Sequence, residues 1–347
     1  MNLKKIAIAV VMLSLVCIAC FSYYIYSIML VPNTAFNSIE AFVFIRSGAS
    51  YSEVRSDLEP LLLDIEKFDL LAQQKKYTKN VKPGRYRISK GMTNNDIINS
   101  LRSQNLTVIV AFNNQQNLEV LAQRVSSQIE ADSLSLITAF KDSVFLRSNG
   151  FTSETALAMY LPNSYDFFWN TTAIKFRSKL QKEYNRFWDS KRKSKAKDLG
   201  LSPIQVSILA AIVQEESKQI QEQPRIAGVY INRLKNNWAL QADPTLKFAA
   251  YQIKAYKNTV IKRLLNKHKK INSPYNTYKN TGLPPGLIAM PDLSTIDAVL
   301  NCEKHSYFYF AADPDKPGFH RFAKTLSLHK NNARRYHNYL NNQGIRK

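Results

Sequence analysis

The sequence predicts an α+β chain in three parts: an N-terminal membrane-spanning helix, a small β/α module and a larger mixed α+β domain. Three observations carry that reading. Residues 6–31 run without a charge. Residues 40–112 alternate strand-like and helix-like patterns. At Ser202 a strongly marked helix opens a region that ends in a short strand pattern at 307–311 and a last helix. The boundaries that follow are an anchor over 1–31, a module over 40–112, a helical connecting region over 113–200 and a mixed domain over 201–345.

The apolar run is longer than the ~20 residues a helix needs to cross a bilayer. Tyr23, Tyr24 and Tyr26 fall towards its far end, where interface aromatics collect. Lys4 and Lys5 precede it, which favours a cytoplasmic N-terminus and places the remainder on the other side. A cleavable signal peptide has a shorter apolar core and a small-residue cut site, and neither stands out. Lipidation at Cys20 is the other alternative, but Cys17 occupies the place where that motif prefers an aliphatic residue. An uncleaved single-pass anchor held by membrane lipid is the expectation.

Composition excludes several classes. The cysteines number 3, two of them inside the apolar run, so neither a disulfide framework nor a zinc site is expected. The 5 histidines show no HExxH spacing, and the chain has no glycine-rich phosphate loop and no GxSxG. No metal or other cofactor is called for. The net charge of +22 points to an anionic surrounding or partner. The basic residues are spread along the chain without a nucleic-acid-binding motif, so acidic lipid or an acidic wall polymer is expected rather than nucleic acid.

Within the module, 41–45 reads as a strand and Ser47-Gly48 as a turn. A helix from Tyr51 stops near Pro60, which opens a second helix to about Gln74. The piece KPGRYRI is a turn and a strand, Thr93 caps a helix to Gln104, and 107–112 closes the module as a strand. Residues 118–180 read mostly as helix, broken by aromatics around a Pro-Asn turn at 159–169. Flat rings serve both protein cores and saccharide grooves. The basic stretch 182–197 reads as an exposed helix or linker.

The helix that follows has a written start. Ser202 suits the N-cap, Pro203 the first turn, and Gln205 completes a capping box. From Val206 to Val213 only Ser207 is polar, so this helix belongs in a core. Glu215 and Glu216 arrive on the same buried helix, in line with its Ile208/Ala211 and Leu209/Ile212 rows. A carboxyl group there emerges at the wall of a cleft, where poor solvation raises its pKa into the range a general acid needs. Two solvated glutamates near a helix end are the alternative for this stretch alone.

Downstream, 224–234 reads as a second amphipathic helix, and 238–245 as a short strand turning into a helix capped by Asp243. A basic insert covers 254–270. The Pro- and Gly-rich run 281–291 excludes regular structure and reads as a fixed loop that shapes a site. A helix from about Leu293, the strand at 307–311, a turn over 313–318, the piece His320-Arg321-Phe322 and a final helix to Leu340 complete the chain.

Read together, IVQEES, YINRL, LQADPT, YNTY, GLPPGLIAMP, YFYFAAD and GFHRFAKTLSLH resemble, in content and order, the bacterial YceG/MltG family of endolytic murein transglycosylases. The pieces KPGRYRI and MTNNDII are similar to that family's LysM-like module. The resemblance implies an inner-membrane enzyme with its catalytic domain on the extracytoplasmic side. It implies cleavage of the MurNAc–GlcNAc β-1,4 bond of nascent peptidoglycan glycan strands to leave 1,6-anhydro-MurNAc ends, in cooperation with peptidoglycan synthases. The family's catalytic glutamate falls on Glu216. Gln241, Asp243 and Thr245 from LQADPT, and Tyr275, Asn276, Thr277 and Tyr278 from YNTY, are implied to line the cleft. Two departures stand out: Gln214 where the family often has an acid, and Met290-Pro291-Asp292 in place of a more usual Asn/Thr-Pro-Gly. A catalytically inactive peptidoglycan-binding scaffold of the same fold is the alternative function.

Overall fold

The computed structural model describes residues 3–253, 256, 261 and 264–343, which fall into two units. The first holds the described residues up to 110 together with 128–131 and 165–172; the second holds the rest.

The first unit begins with α1 (Leu3–Met29), a helix of 27 residues long and apolar enough to cross a membrane. Its last turn is tied down. Ile28 is buried, and the Asn94 amide donates to the Ile28 carbonyl at 2.9 Å while accepting from Asn33 at 2.7 Å. Strand β1 (Glu40–Ile45) is followed by α2 (Tyr51–Leu58) and α3 (Ile65–Gln74), then β2 (Gly84–Ser89) and α4 (Asn94–Ser103). Strands β1 and β2 pair antiparallel with Val43 opposite Tyr86. Their inward faces join Val54, Phe68, Leu71, Ile97 and Leu101 in one core. Each such side chain contributes about 1.5–3 kcal/mol of burial.

The helix expected from Tyr51 forms behind a capping box on Ser50, and the cap expected at Thr93 forms as a capping box too. Pro60 does not open the second helix. It sits in a 3-10 turn over Glu59–Leu61, and α3 starts at Ile65 behind the Asp64 cap. Strand β3 (Thr107–Phe112) forms, but it joins no sheet with β1 and β2; it pairs with β4 (Asn163–Phe168). That fourth strand replaces part of the aromatic turn expected at 159–169, with Tyr165 and Phe167 buried on alternate positions.

The second unit contains α5 (Leu118–Ser126), α6 (Ser133–Phe140), α7 (Ser143–Ser148), α8 (Ala173–Phe187) and the basic α9 (Ser190–Asp198). Next come α10 (Pro203–Glu216), α11 (Gln223–Lys235), α12 (Asp243–Tyr251), the short α13 (Asn266–Lys269) and α14 (Leu293–Leu300). An antiparallel pair, β5 (Tyr309–Ala312) with β6 (His320–Ala323), and α15 (Leu326–Asn342) finish the chain. Helix α10 is the centre of this unit and packs against α9, α11, α12 and α14. The expected insert at 254–270 lies largely outside the described residues. The fold class is mixed α+β with an N-terminal apolar helix.

Candidate active site

The site is built on the last turn of α10. Ser202 accepts from the Gln205 N–H at 3.2 Å and Gln205 accepts from the Ser202 N–H at 2.8 Å, closing the capping box. Such a cap is worth about 1 kcal/mol. Every residue from Val206 to Gln214 is buried. The helix stops at Glu216, where Ser217 turns extended. The two glutamates then part ways. Glu215 is exposed and pairs with Lys218 at 3.0 Å. Glu216 is half-buried, and its Oε1 accepts from the Tyr230 hydroxyl at 2.6 Å.

Burial is the largest influence on the Glu216 carboxyl and pushes its pKa from 4.5 up to about 7. The Tyr230 bond opposes it, the Asp243 charge adds to it, and the His320 and Arg233 charges pull the other way. Tyr230 itself is fully buried on α11, and burial drives its phenol well above the usual range. Burial also lowers the pKa of Arg233, one turn further along. Arg233 donates from Nε to the Phe308 carbonyl at 2.9 Å and from Nη1 to the Leu240 carbonyl.

The segments carrying LQADPT and YNTY are knotted together. Gln241 takes a left-handed backbone, φ 50°, with its side chain exposed, and its N–H donates to the Thr277 carbonyl at 3.0 Å. The Ala242 N–H donates to Thr277 Oγ1 at 3.0 Å, and the Thr245 and Thr277 hydroxyls meet at 2.8 Å. The strand expected at 238–242 does not form, and Asp243 does not cap α12. Ala242 holds the cap position, and the Asp243 carboxylate instead accepts from the Tyr278 hydroxyl at 2.5 Å. Asn276 is buried, its amide donating to the Lys269 and Ile271 carbonyls at 3.0 and 2.8 Å while Oδ1 accepts from the Tyr278 N–H at 3.1 Å. Tyr275 is buried beside Phe248, ring centroids 4.7 Å apart.

Of the eight residues singled out in the sequence, Glu216, Asp243 and Tyr278 therefore form one electrostatic group: the Asp243 charge raises the pKa of both Glu216 and Tyr278, and Glu216 raises that of Tyr278. Thr245 and Thr277 tie the two segments together, Asn276 and Tyr275 hold the second segment, and Gln241 projects from the first. The sequence reading passed over Tyr230 and the buried Glu222, which accepts from His320 through its N–H at 2.7 Å and pairs with its Nδ1 at 2.8 Å. A tyrosine on the otherwise apolar inner face of α11, one turn before Arg233, was the available signal for the first. No cluster of three or more metal-ligating side chains occurs among the described residues.

The model of the YceG-like family matches residues 43–335, most of the chain. The chain belongs to the YceG-like family. It is 29% identical over 316 residues to a protein of Bacillus subtilis (strain 168) named endolytic murein transglycosylase, a match covering 84% of this chain and 83% of that one. A Streptococcus pneumoniae protein (serotype 2, strain D39) of the same name is 26% identical over 314 residues, covering 82% of this chain and 56% of that one. The crystal structure of a YceG-like protein from Listeria monocytogenes superposes with a TM-score of 0.55 at 23% identity, covering 85% of this chain and 99% of that chain, and so shares the fold. Membership of the YceG-like family makes this chain an enzyme of the lytic transglycosylase class.

Proposed function

We propose that this YceG-like chain cuts murein glycan strands at the MurNAc–GlcNAc β-1,4 bond, with Glu216 as the group that both gives and takes the proton. The single observation carrying this reading is the state of that carboxyl: half-buried at a helix end, pushed up to about 7, and hydrogen-bonded on one oxygen only among the described residues. A carboxylic acid poised there is protonated often enough near neutral pH to donate, and basic enough afterwards to accept.

The steps balance without water. Glu216 protonates the glycosidic oxygen as the bond to MurNAc C1 breaks, and positive charge develops on the sugar ring. The C6 hydroxyl of the same sugar attacks C1, and its proton passes to the Glu216 carboxylate. The products are a free GlcNAc 4-hydroxyl on one fragment and a 1,6-anhydro end on the other. A glycosidase that delivers water commonly needs a second carboxylate placed for the task, whereas ring closure by the substrate's own hydroxyl does not. Asp243 and Tyr278 lie beside Glu216 and supply negative charge and a polar edge for the developing cation. The exposed Gln241 side chain is suited to the N-acetyl group, while Asn276 and Thr277 support the segment that carries Tyr278. In this reading α1 anchors the chain in the cell membrane with the second unit on the extracytoplasmic side, the first unit acts as a LysM-like wall contact, and synthases supply the nascent strand.

The test uses the full chain in detergent with purified uncrosslinked glycan strands, and mass spectrometry of the products. Anhydro ends made by the unmodified chain and lost in Glu216→Gln are expected. Reducing ends would sink the ring-closure step, and anhydro ends persisting in Glu216→Gln would sink the assignment of the acid.

A further inference from the structure

We propose that Tyr230 is a positioning residue for the reaction: by occupying Oε1 of Glu216, its phenol O–H fixes the carboxyl orientation and forces the transferable proton onto Oε2. This rests on the reading of Glu216 as the acid and deepens it. The geometry is restrictive. Tyr230 is buried to 1% exposure in the middle of α11, and its ring packs edge-on against Phe310 with centroids 6.0 Å apart. Its hydroxyl has one partner among its hydrogen bonds, Glu216 Oε1 at 2.6 Å.

A phenol at that distance is the donor, because its own proton is held far more tightly than the carboxyl's. The oxygen receiving that bond is therefore the carbonyl-like one in the neutral acid. The acidic proton must sit on Oε2, for which no hydrogen bond is found among the described residues and which is left to face a substrate. Once the proton has gone, the same O–H stabilises the carboxylate, since donors to an ionised oxygen bind it about twice as strongly as a neutral one. Tyr230 thus makes one oxygen reactive and keeps the acid strong enough to give its proton away. The other groups facing the carboxyl are Asp243 from α12, Arg233 from α11, His320 from β6 and Tyr278, all acting through space rather than by a bond to it.

The experiment compares the full chain, Tyr230→Phe and the chain carrying 3-fluorotyrosine at 230, with the Glu216 carboxyl followed by 13C NMR and turnover measured on uncrosslinked glycan strands across pH. Glu216→Gln assigns the resonance and controls the turnover. Phenylalanine keeps the ring packing and removes only the donor. Its expected effect is a Glu216 titration moved up by about one pH unit or more, with kcat down about ten-fold or more and KM within about two-fold. The more acidic fluorophenol is expected to move the titration down. A carboxyl titration that ignores both changes, or a kcat that Tyr230→Phe leaves intact at every pH, overturns the proposal. If Glu216→Gln keeps full turnover, the reading of the acid fails instead, while the carboxyl titration still reports on the Tyr230 contact.

Discussion

Gln214 and Glu216 stand two positions apart on one helix, and the first locks a loop while the second is left with an oxygen unbound. Gln214 Oε1 accepts from the Asp292 N–H at 2.6 Å and from the Thr295 hydroxyl at 3.1 Å, and its Nε2 donates to the Met290 carbonyl at 3.4 Å. The two places where the sequence departs from the family pattern, Gln214 and 290–292, are therefore one contact. Gln214→Glu keeps the acceptor but sets a carboxylate oxygen against the Met290 carbonyl inside the protein. We expect a loss of about 1–3 kcal/mol at neutral pH. The buried acid's pKa is raised, so the loss should shrink as pH falls towards 5. Urea unfolding at both pH values checks it.

The Glu216 carboxyl has a second consequence. Its folded pKa of about 7 lies above its ordinary 4.5, so the folded state binds the extra proton between those values. Stability from this group is full below about 4.5 and declines as pH rises through 7. After allowing for its partial exposure, the cost at pH 8 is about 2 kcal/mol. Glu216→Gln cannot ionise. It should exceed the unmodified chain in stability at pH 8 by about that amount and match it near pH 4.5, while turnover is lost at both. Thermal melts at the two pH values decide it.

Asp243 raises the Glu216 pKa by its charge. Removing the charge with Asp243→Asn should lower the pH above which kcat/KM falls by about half a unit to one unit, the reverse of the shift expected from losing the Tyr230 donor. A pH–rate profile that moves up, or does not move, contradicts this coupling.

How far the sequence carried these conclusions depended on how local the cause was. Thr93 and Ser202 announce their helices because a cap is closed within four residues, and both form; the equally local box on Ser50 went unread. Strand β4 was hidden because its partner β3 lies some fifty positions away, and an Asn-Ser start after a proline looks like a turn. Asp243 looks like a cap from its place before Pro244, but a tyrosine from another segment claims its carboxylate. Tyr230 reads as a core aromatic at its helical spacing. That is true of its ring, and only the fold shows where its oxygen ends. An acid at the end of an apolar helix drew notice to Glu215 and Glu216 alike; the family resemblance singled out Glu216, and the fold parts the two by burial.

Asn276 is expected to matter through the loop it holds. Asn276→Ala strips two backbone carbonyls of their donor and the Tyr278 N–H of its acceptor, all at a fully buried position. A loss of about 2–4 kcal/mol follows. Hydrogen exchange should rise first across 273–280, with turnover falling as Tyr278 loses its register. Exchange unchanged in that segment would mean the loop is held by something else.

Gly228 shows how closely the strand-bearing segment is laid on α11. A Cβ at this position would lie 2.3 Å from the Glu303 carbonyl oxygen and 2.7 Å from His305 Nε2. The approach is fastened on both sides: the Glu303 N–H donates to the Pro224 carbonyl at 3.0 Å, and Asn232 donates to the His305 and Tyr307 carbonyls at 2.8 and 2.9 Å. Gly228→Ala cannot be absorbed by a flexible side chain, because the nearest atom is backbone. Helix propensity favours alanine by about 1 kcal/mol, and the clash reverses that gain. We expect a net loss of about 2–3 kcal/mol, with α11 displaced from 303–307 and the Tyr230–Glu216 bond lengthened as a result. Melting temperature and the Glu216 carboxyl titration should therefore change together. A variant that melts lower while its Glu216 titration stays fixed would separate the packing of α11 from the setting of the acid.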